Sequence, residues 1–263
     1  MPRKANITKR RTRGDKRNEL IFDSSPLQAL ELLAASLHGM MTNPSTPWFT
    51  LKFKDSQMDQ NDEAKLWLES VTQDMYTAFN RSNFQQEIFE LYHDLITFGT
   101  AAMYVEEDDE DLLKFSTKHI AEIFIAEDDK GRIDTVYRKF TLSARALVQK
   151  FGNKVSQNIK VMSEKDPYQD VDILHCVYPR ADFNPKLKDQ ENMPFESVYL
   201  EMGSGDELSV SGFKEFPYVV PRYLKASHEI YGRSPAMTAL PDVKMLNEMS
   251  KTTIKAAQKQ VDP

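Results

Sequence analysis

The sequence predicts an α+β fold, and the spacing of its apolar residues carries this prediction. Apolar residues recur at helical spacing over the first hundred residues, short alternating runs separated by turn residues follow, and helical spacing returns at the end. Hydrophobic residues make up 40% and charged residues 28% of the 263-residue chain, a composition typical of folded proteins. We expect a helical part over residues 20–99, a small antiparallel β region over 100–229 and a long C-terminal amphipathic helix within 230–263.

Three helices are predicted before residue 100. Ser25 to Gln28 has the pattern of a capping box with proline at the first helical position, which predicts a helix over residues 26–40. A second helix is expected to begin near Asn61 or Asp62, and a third at Asn83, ending at Gly99. The expected inward residues are Leu30, Leu33, Ala34, Leu37 and Met41 in the first helix, Trp67, Val71, Met75 and Ala78 in the second, and Phe84, Ile88, Leu91, Leu95 and Phe98 in the third.

Short apolar runs separated by acidic or glycine-containing loops predict the β region. Residues 102–105 and 112–115 flank six consecutive acidic residues, and residues 123–125 and 133–140 flank a turn that contains Gly131. We expect a hairpin in each case. A short helix is predicted over residues 143–151, and further strands over 171–178, 197–202 and 218–224.

The last 30 residues predict one long amphipathic helix over residues 234–261. It opens with Pro235, and its apolar residues are Leu240, Val243, Leu246, Met249, Ile254 and Ala257. A proline in a helix interior removes a hydrogen bond, so Pro241 is expected to be tolerated only if the helix proper begins there. No later element in this chain covers the apolar face, which is therefore expected to pack against other segments or subunits.

The charge is distributed unevenly along the chain. The net charge is −6, but the first seventeen residues carry +7, which leaves −13 for the remainder. We expect residues 1–19 to form a basic arm that contacts nucleic acid or an acidic protein face, or that only increases solubility. Its basic residues, our candidate polyanion contacts, are Arg3, Lys4, Lys9, Arg10, Arg11, Arg13, Lys16 and Arg17.

The sequence offers no set of residues for catalysis. His175 and Cys176 are neighbours in a predicted strand and so point to opposite faces, and the other histidines lack ligand spacing. The acidic loops do not fit a calcium loop, because with Gly131 at the glycine position the first ligand position falls on Ala126. The single cysteine excludes an intramolecular disulfide. We expect no enzyme activity, no catalytic residues, no cofactor, no metal site and no membrane-spanning segment.

One block before the terminal helix resembles a known family. Residues 230–244, from Ile230 to Lys244, are similar to the block that precedes the stem helix in the portal proteins of short-tailed phages, and Gly232, Arg233, Pro235 and Asp242 are its motif positions. Residues 252–263 resemble the start of that stem. Residues 98–105, 131–140 and 151–152 resemble the wing of the same family in the same order.

The resemblance implies a structural subunit of the phage head-to-tail connector. Such portals form a ring of about twelve copies at one capsid vertex, through which DNA is packaged and ejected. It implies contacts with other copies, the major capsid and scaffolding proteins, terminase, a tail adaptor and the DNA, in a virion assembled in the host cytoplasm. By the same resemblance residues 20–229 form the wing and 230–263 the start of the stem, truncated before the clip.

Two further expectations concern the lysines of the terminal helix and the alternative functions of the chain. Lys244, Lys251, Lys255 and Lys259 are candidate channel or intersubunit contacts, because the last three recur every four residues and lie close to one helix face. The alternatives are a truncated prophage remnant, or a DNA-binding module that acts through the basic arm. Salt-dependent DNA affinity that is lost on removal of residues 1–17 would distinguish the DNA-binding module.

Overall fold

The computed structural model describes residues 19–54, 61–187, 189 and 192–261 and confirms the α+β class. The predicted basic arm lies almost entirely outside these residues. The helices are α1 (Ser25–Met41), α2 (Asp62–Arg81), α3 (Phe84–Phe98), α4 (Ala144–Phe151), α5 (Gln157–Lys165) and α6 (Pro235–Val261). The strands are β1 (Ala102–Asp108), β2 (Leu112–Lys118), β3 (Ile123–Glu127), β4 (Ile133–Ser143), β5 (Asp170–Pro179), β6 (Phe195–Glu201), β7 (Glu207–Phe213) and β8 (Tyr218–Val219).

The chain divides into two compact units. The first contains the chain up to Thr117 and again from Val219, and the second is Lys118–Tyr218. The first unit holds α1, α2, α3 and α6 together with a three-stranded sheet in the order β2-β1-β8. The second unit holds α4, α5 and a five-stranded sheet in the order β3-β4-β5-β6-β7.

Helix α3 is the centre of the first unit and matches its prediction in position and in face. It begins after Asn83 and ends at Gly99, which has the left-handed φ of 79° that favours glycine. The Asn83 side chain donates to the carbonyl of Phe115 (2.8 Å) and accepts from its N–H (2.9 Å), which ties the helix start to β2. Its buried apolar residues are Phe84, Ile88, Leu91, Tyr92 and Ile96.

Helix α2 is correctly placed, but its expected inward face is only partly right, because Val71 and Ala78 are half-buried whereas Met75 and Trp67 are exposed. Trp67 is 59% exposed, and no residue of the helix is fully buried. The helix instead packs through Tyr76, whose hydroxyl accepts the N–H groups of Trp48 and Phe49 (2.7 Å each) and donates to the carbonyl of Phe49 (2.8 Å). Because this contact joins residues about 28 positions apart, helical spacing alone could not reveal it.

Helix α1 begins one residue earlier than predicted and without the predicted capping box. The N-cap residue is Ser24, whose side chain makes no capping bond, and Asp23 Oδ1 instead accepts the N–H of Ser25 (2.8 Å). Leu30 and Ala34 are buried against α3 as expected. Leu33 and Met41 are exposed, so the predicted inward face is too wide.

The second unit is a five-stranded antiparallel sheet packed against two short helices. The predicted hairpin is confirmed: β3 pairs with β4, and Gly131 in their turn has a φ of 73°. Helix α4 is confirmed, with the Ser143 side chain accepting the N–H of Ala146 as its cap. The prediction missed α5 and β7, which each contribute one fully buried residue, Ile159 and Leu208, to the core against β4 and β5.

Helix α6 is continuous from Pro235 to Val261, so the expectation that it begins at Pro241 is wrong. Pro241 lies inside the helix, where it has no N–H to donate to the carbonyl of Met237. Met237 is 47% exposed, so the helix carries Pro241 in a part that faces solvent.

Candidate assembly site around the terminal helix

The block that precedes α6 packs directly against the end of α3. A Cβ on Gly99 would lie 2.6 Å from the carbonyl carbon of Arg233 and closer still to the carbonyl oxygen of Gly232. A Cβ on Gly232 would in turn lie 3.0 Å from the Cβ of Arg222. The two backbones approach this closely only because both positions are glycine, so neither position has room for a side chain.

Two buried hydroxyl groups fix this junction. The N–H of Gly232 donates to Thr100 Oγ1 at 2.7 Å, and the hydroxyl of Ser234 donates to the carbonyl of Thr97 at 3.0 Å. Thr100 and Ser234 are both buried. Ser234 Oγ also accepts the N–H of Met237 at 2.9 Å, so the residue that holds the junction also caps the start of α6.

The remaining motif positions lie at the surface of the junction. The guanidinium of Arg233 forms a two-point ion pair with the carboxylate of Glu229, with Nε donating at 2.8 Å. Hydrogen bonding to Arg233 lowers the pKa of Glu229, but both side chains are exposed, so the pair contributes little to stability. Pro235 is the first residue of α6, and Asp242 is exposed on it. These positions shape the start of the helix and form no catalytic group.

Helix α6 has no fully buried residue in its 27 positions. The helix contacts α3, yet it carries exposed apolar side chains along its whole length. The exposed large apolar residues of α6 are Met237, Leu240, Met245, Leu246, Met249, Ile254 and Val261. A helix with this much uncovered apolar surface is typical of an element that packs against other chains or segments.

The short segment before α1 is hydrogen-bonded to the middle of α6 through Asn247. The Asn247 side chain accepts the N–H of Phe22 at 2.8 Å and donates to the carbonyl of Leu20 at 3.1 Å. The ammonium group of Lys251 lies 5.9 Å from the centre of the Phe22 ring. This contact places residues 20–22, which follow the predicted arm, against α6.

The four candidate lysines of α6 do not share one environment. Lys251 forms an ion pair with both carboxylate oxygens of Glu248 at 3.0 Å, so part of its charge is already balanced within the helix. Lys244 lines a groove between α6 and residues 21–27. Lys255 and Lys259 are exposed in the last two turns.

The residues that were weighed for chemistry lie in ordinary structural positions. Asp128 Oδ1 accepts the N–H groups of Lys130 (2.9 Å) and Arg132 (2.7 Å), which holds the β3–β4 turn. Within the described ranges no cluster of three or more His, Cys, Asp or Glu side chains is arranged to hold a metal ion. No helix in the same ranges is long and apolar enough to cross a membrane.

His175 is buried in the second unit. Its Nε2 lies 3.0 Å from Ser197 Oγ and its Nδ1 lies 3.3 Å from the Tyr218 hydroxyl, while its ring stacks on Tyr199 at 3.9 Å. Burial, reinforced by nearby positive charges, lowers the pKa of His175 to about 3, so the ring is neutral near pH 7. Cys176 is also buried, and burial raises the pKa of its thiol. These side chains support the core and do not meet solvent.

Sequence reasoning missed two residues that organise this region, Thr100 and Asn247. Thr100 bonds a residue 132 positions away, and Asn247 bonds one 225 positions away. Asn247 lies at the polar edge of an amphipathic helix. This position alone does not identify it, because many polar residues at such an edge only face solvent. The candidate basic residues of the arm, Arg3 to Arg17, lie outside the described residues.

The whole chain, residues 1–263, matches the sequence model of a family described as "Bacteriophage head to tail connecting protein". The chain is 36% identical to the portal protein of Salmonella phage epsilon15 over 256 residues, and this match covers 95% of the chain. It is 35% identical to the probable portal protein of Bordetella phage BPP-1 over 240 residues, and this match covers 90% of the chain. The chain belongs to the bacteriophage head to tail connecting protein family. It spans 46% and 43% of the length of these two relatives.

Proposed function

We propose that this chain forms the wing and the start of the stem of a phage portal subunit. Family membership supports a head-to-tail connector, and the feature of the fold that supports a ring is α6, with no buried residue and a row of exposed apolar side chains. In a ring, neighbouring subunits and the rest of the stem cover that surface. The subunit is a structural protein of the virion, and its role is in assembly.

The proposed regions follow the chain order. Residues 20–99 and 100–229 form the helical and β parts of the wing, which contacts the major capsid and scaffolding proteins, and 230–263 begin the stem. In a ring of about twelve copies the stems surround the passage for DNA. Terminase and the tail adaptor dock on the same ring, which is assembled in the host cytoplasm.

The charges on α6 indicate which of its lysines are available for contacts in a ring. Lys251 is partly balanced by Glu248, so Lys255 and Lys259 are the lysines most available for a carboxylate of the next subunit or for DNA phosphates. Exchanging both for glutamate reverses their charge without altering a buried contact. A matched control exchanges Lys65 and Lys114, which are surface lysines of the same unit.

Genetic complementation tests the proposal. A hybrid in which this chain replaces the matching 256-residue region of the Salmonella phage epsilon15 portal protein is supplied to an epsilon15 mutant that lacks its portal. DNA-filled heads are expected from the hybrid, fewer from the Lys255→Glu, Lys259→Glu variant, and normal numbers from the Lys65→Glu, Lys114→Glu variant. A parallel hybrid from the Bordetella phage relative controls for grafting. If that control packages DNA and this hybrid does not, the proposal is wrong.

The basic arm supports a second activity, sequence-independent binding to polyanions. Its eight basic residues lack interleaved aromatic residues that could stack on bases, so attraction to phosphate is the expected source of affinity. Duplex DNA binding is expected to fall steeply between low and moderate salt and to disappear when residues 1–17 are removed. Affinity that is insensitive to salt would contradict this proposal.

A further inference from the structure

Helix α6 is partly buried at two separate places along its length. Six consecutive residues, 237–242, are all exposed, and so are the ten residues 252–261 at the end of the helix. The helix is therefore attached at its start and again in its middle, with more than one fully exposed turn between the two attachments. The residues of α6 that are not exposed are Pro235 and Ala236 at the start, and Val243, Asn247, Ser250 and Lys251 in the middle.

Pro241 lies in the exposed turn between the two attachments. Its nitrogen carries no hydrogen, so the carbonyl of Met237 lacks its usual donor within the helix. The proline ring also crowds that carbonyl, and sharp bends in helices occur at proline for these two reasons. Since the side chains of this turn are exposed, packing does little to keep the helix straight there.

The middle attachment consists of side-chain hydrogen bonds to the segment before α1. Asn247 accepts the N–H of Phe22 at 2.8 Å and donates to the carbonyl of Leu20 at 3.1 Å. The hydroxyl of Ser250 donates to Asp23 Oδ2 at the longer distance of 3.4 Å. These bonds are exposed or only partly buried, and contacts of this kind open locally at a low cost in free energy.

A groove lies beside α6 in the same region, between the helix and residues 21–27. Its volume is about 270 Å³. Because packed interiors contain few spaces of this size, α6 is not tightly packed against residues 21–27 and has room to change its angle. The apolar residues that line the groove are Ile21, Pro26, Leu27, Leu240 and Val243.

We propose that α6 hinges at Pro241 and that residues 20–23 form a latch, which holds the helix beyond the hinge in the position seen here. When the latch is closed, α6 is one continuous helix. When it opens, residues 242–261 change direction while the first turn stays on the junction, where Ser234 is bonded to Thr97. The inference goes beyond the proposed portal function, because it concerns the folded chain by itself.

Pulsed electron paramagnetic resonance on the dilute chain tests the latch. Spin labels are attached to Glu90→Cys on α3 and Gln258→Cys on α6, two exposed positions, and Cys176 is buried and stays unlabelled. The distribution of distances between the labels is expected to broaden at least about twofold in Asn247→Ala, because the distal helix is released. Thr253→Ala is the matched control and leaves the distribution unchanged, since its hydroxyl bonds only to a carbonyl of its own helix.

A second substitution tests the position of the hinge. Pro241→Ala supplies the N–H that the carbonyl of Met237 lacks, so Asn247→Ala combined with Pro241→Ala is expected to return the distribution to its wild-type width. Thr238→Ala is the control in the same exposed turn, because it raises helix propensity without supplying a donor. Combined with Asn247→Ala, it leaves the distribution broad.

Three results would overturn the proposal. A distribution that stays narrow in Asn247→Ala would show that residues 20–23 are not a latch. A distribution that stays broad when Pro241→Ala is added would show that the helix does not hinge at that residue. Loss of helix in the circular dichroism spectrum of Asn247→Ala would show that α6 needs these bonds to fold and does not swing as a unit. None of these results bears on whether the epsilon15 hybrid packages DNA.

Discussion

The carbonyl oxygen of Gly232 occupies the space that a side chain at Gly99 would need. The contact joins the end of α3 to the block before α6, and it is held by the hydrogen bond from Gly232 N–H to Thr100 Oγ1 at 2.7 Å. Since Gly99 also has a φ of 79°, two separate requirements exclude a side chain at this position. The junction therefore orients the first turns of α6 on the first unit.

Gly99→Ala is expected to destabilise the chain by at least about 2 kcal/mol, through the strained φ and the clash with the backbone of residues 232 and 233. Urea unfolding followed by circular dichroism measures the change. Gly203→Ala is the control, because there the nearest atom to the new Cβ is a side-chain oxygen of Glu201 at 3.7 Å. Equal unfolding midpoints for Gly99→Ala and the wild type would show that the junction is not closed in solution.

Leu91→Ala is expected to cost about 2–5 kcal/mol, because Leu91 is 3% exposed at the centre of the α3 core and its removal leaves a cavity. Leu66→Ala is the control on α2, where the side chain is 66% exposed and the expected cost is below about 0.5 kcal/mol. Thermal unfolding of both variants measures the difference. If both melted at the wild-type temperature, the assigned face of α3 would be wrong.

Asn247→Ala is expected to release residues 20–22 from α6 while the helix stays folded. Hydrogen exchange of the Phe22 amide should accelerate at least about tenfold, since its acceptor at 2.8 Å is lost. Thr253→Ala serves as the comparison, because its hydroxyl bonds only to a carbonyl of its own helix. A Phe22 amide that exchanges at the wild-type rate in Asn247→Ala would mean that Asn247 does not hold the segment.

His175 makes stability depend on pH in a defined direction. Its pKa is about 3 in the folded chain and about 6.5 when unfolded, so between these values the unfolded chain binds a proton that the folded chain does not. Stability from this group is therefore complete above about pH 6.5 and falls as pH is lowered, by up to about 1.4 kcal/mol per pH unit.

The pH effect is measured as a difference between two proteins. Urea unfolding at pH 5, 6 and 7 gives a slope for the wild type and a slope for His175→Gln, and carboxylates contribute to both equally. The slope of His175→Gln is expected to be shallower, whatever its absolute stability. Parallel slopes would show that His175 keeps an ordinary pKa.

The fold was largely predictable from local patterns. Asn83 and Gly99 mark the ends of α3, and Gly131 marks the β3–β4 turn, because each signal acts within a few residues of the structure it specifies. Strand β7 and helix α5 were missed because they are short, with seven and nine residues, so their few apolar residues do not establish a period.

The site was less predictable because its contacts are long-range. The motif position Gly232 was found through a family resemblance, but its partner Gly99 is 133 positions earlier and was expected only to end a helix. The outward position of Trp67 follows from Tyr76, whose hydroxyl fixes the backbone at Trp48 and Phe49 and so sets the rotation of α2. No spacing rule within α2 contains that information.

The central claim is that this chain supplies the wing and the start of the stem of a portal ring, and negative-stain imaging of the purified epsilon15 hybrid tests it most directly. Class averages are expected to show closed rings with a central opening, of the size formed by the intact Salmonella phage portal protein. The isolated 263-residue chain is expected to be mostly monomeric when dilute. A hybrid that shows the circular dichroism spectrum of a folded protein but remains monomeric, while the Bordetella phage hybrid forms rings, would contradict the claim.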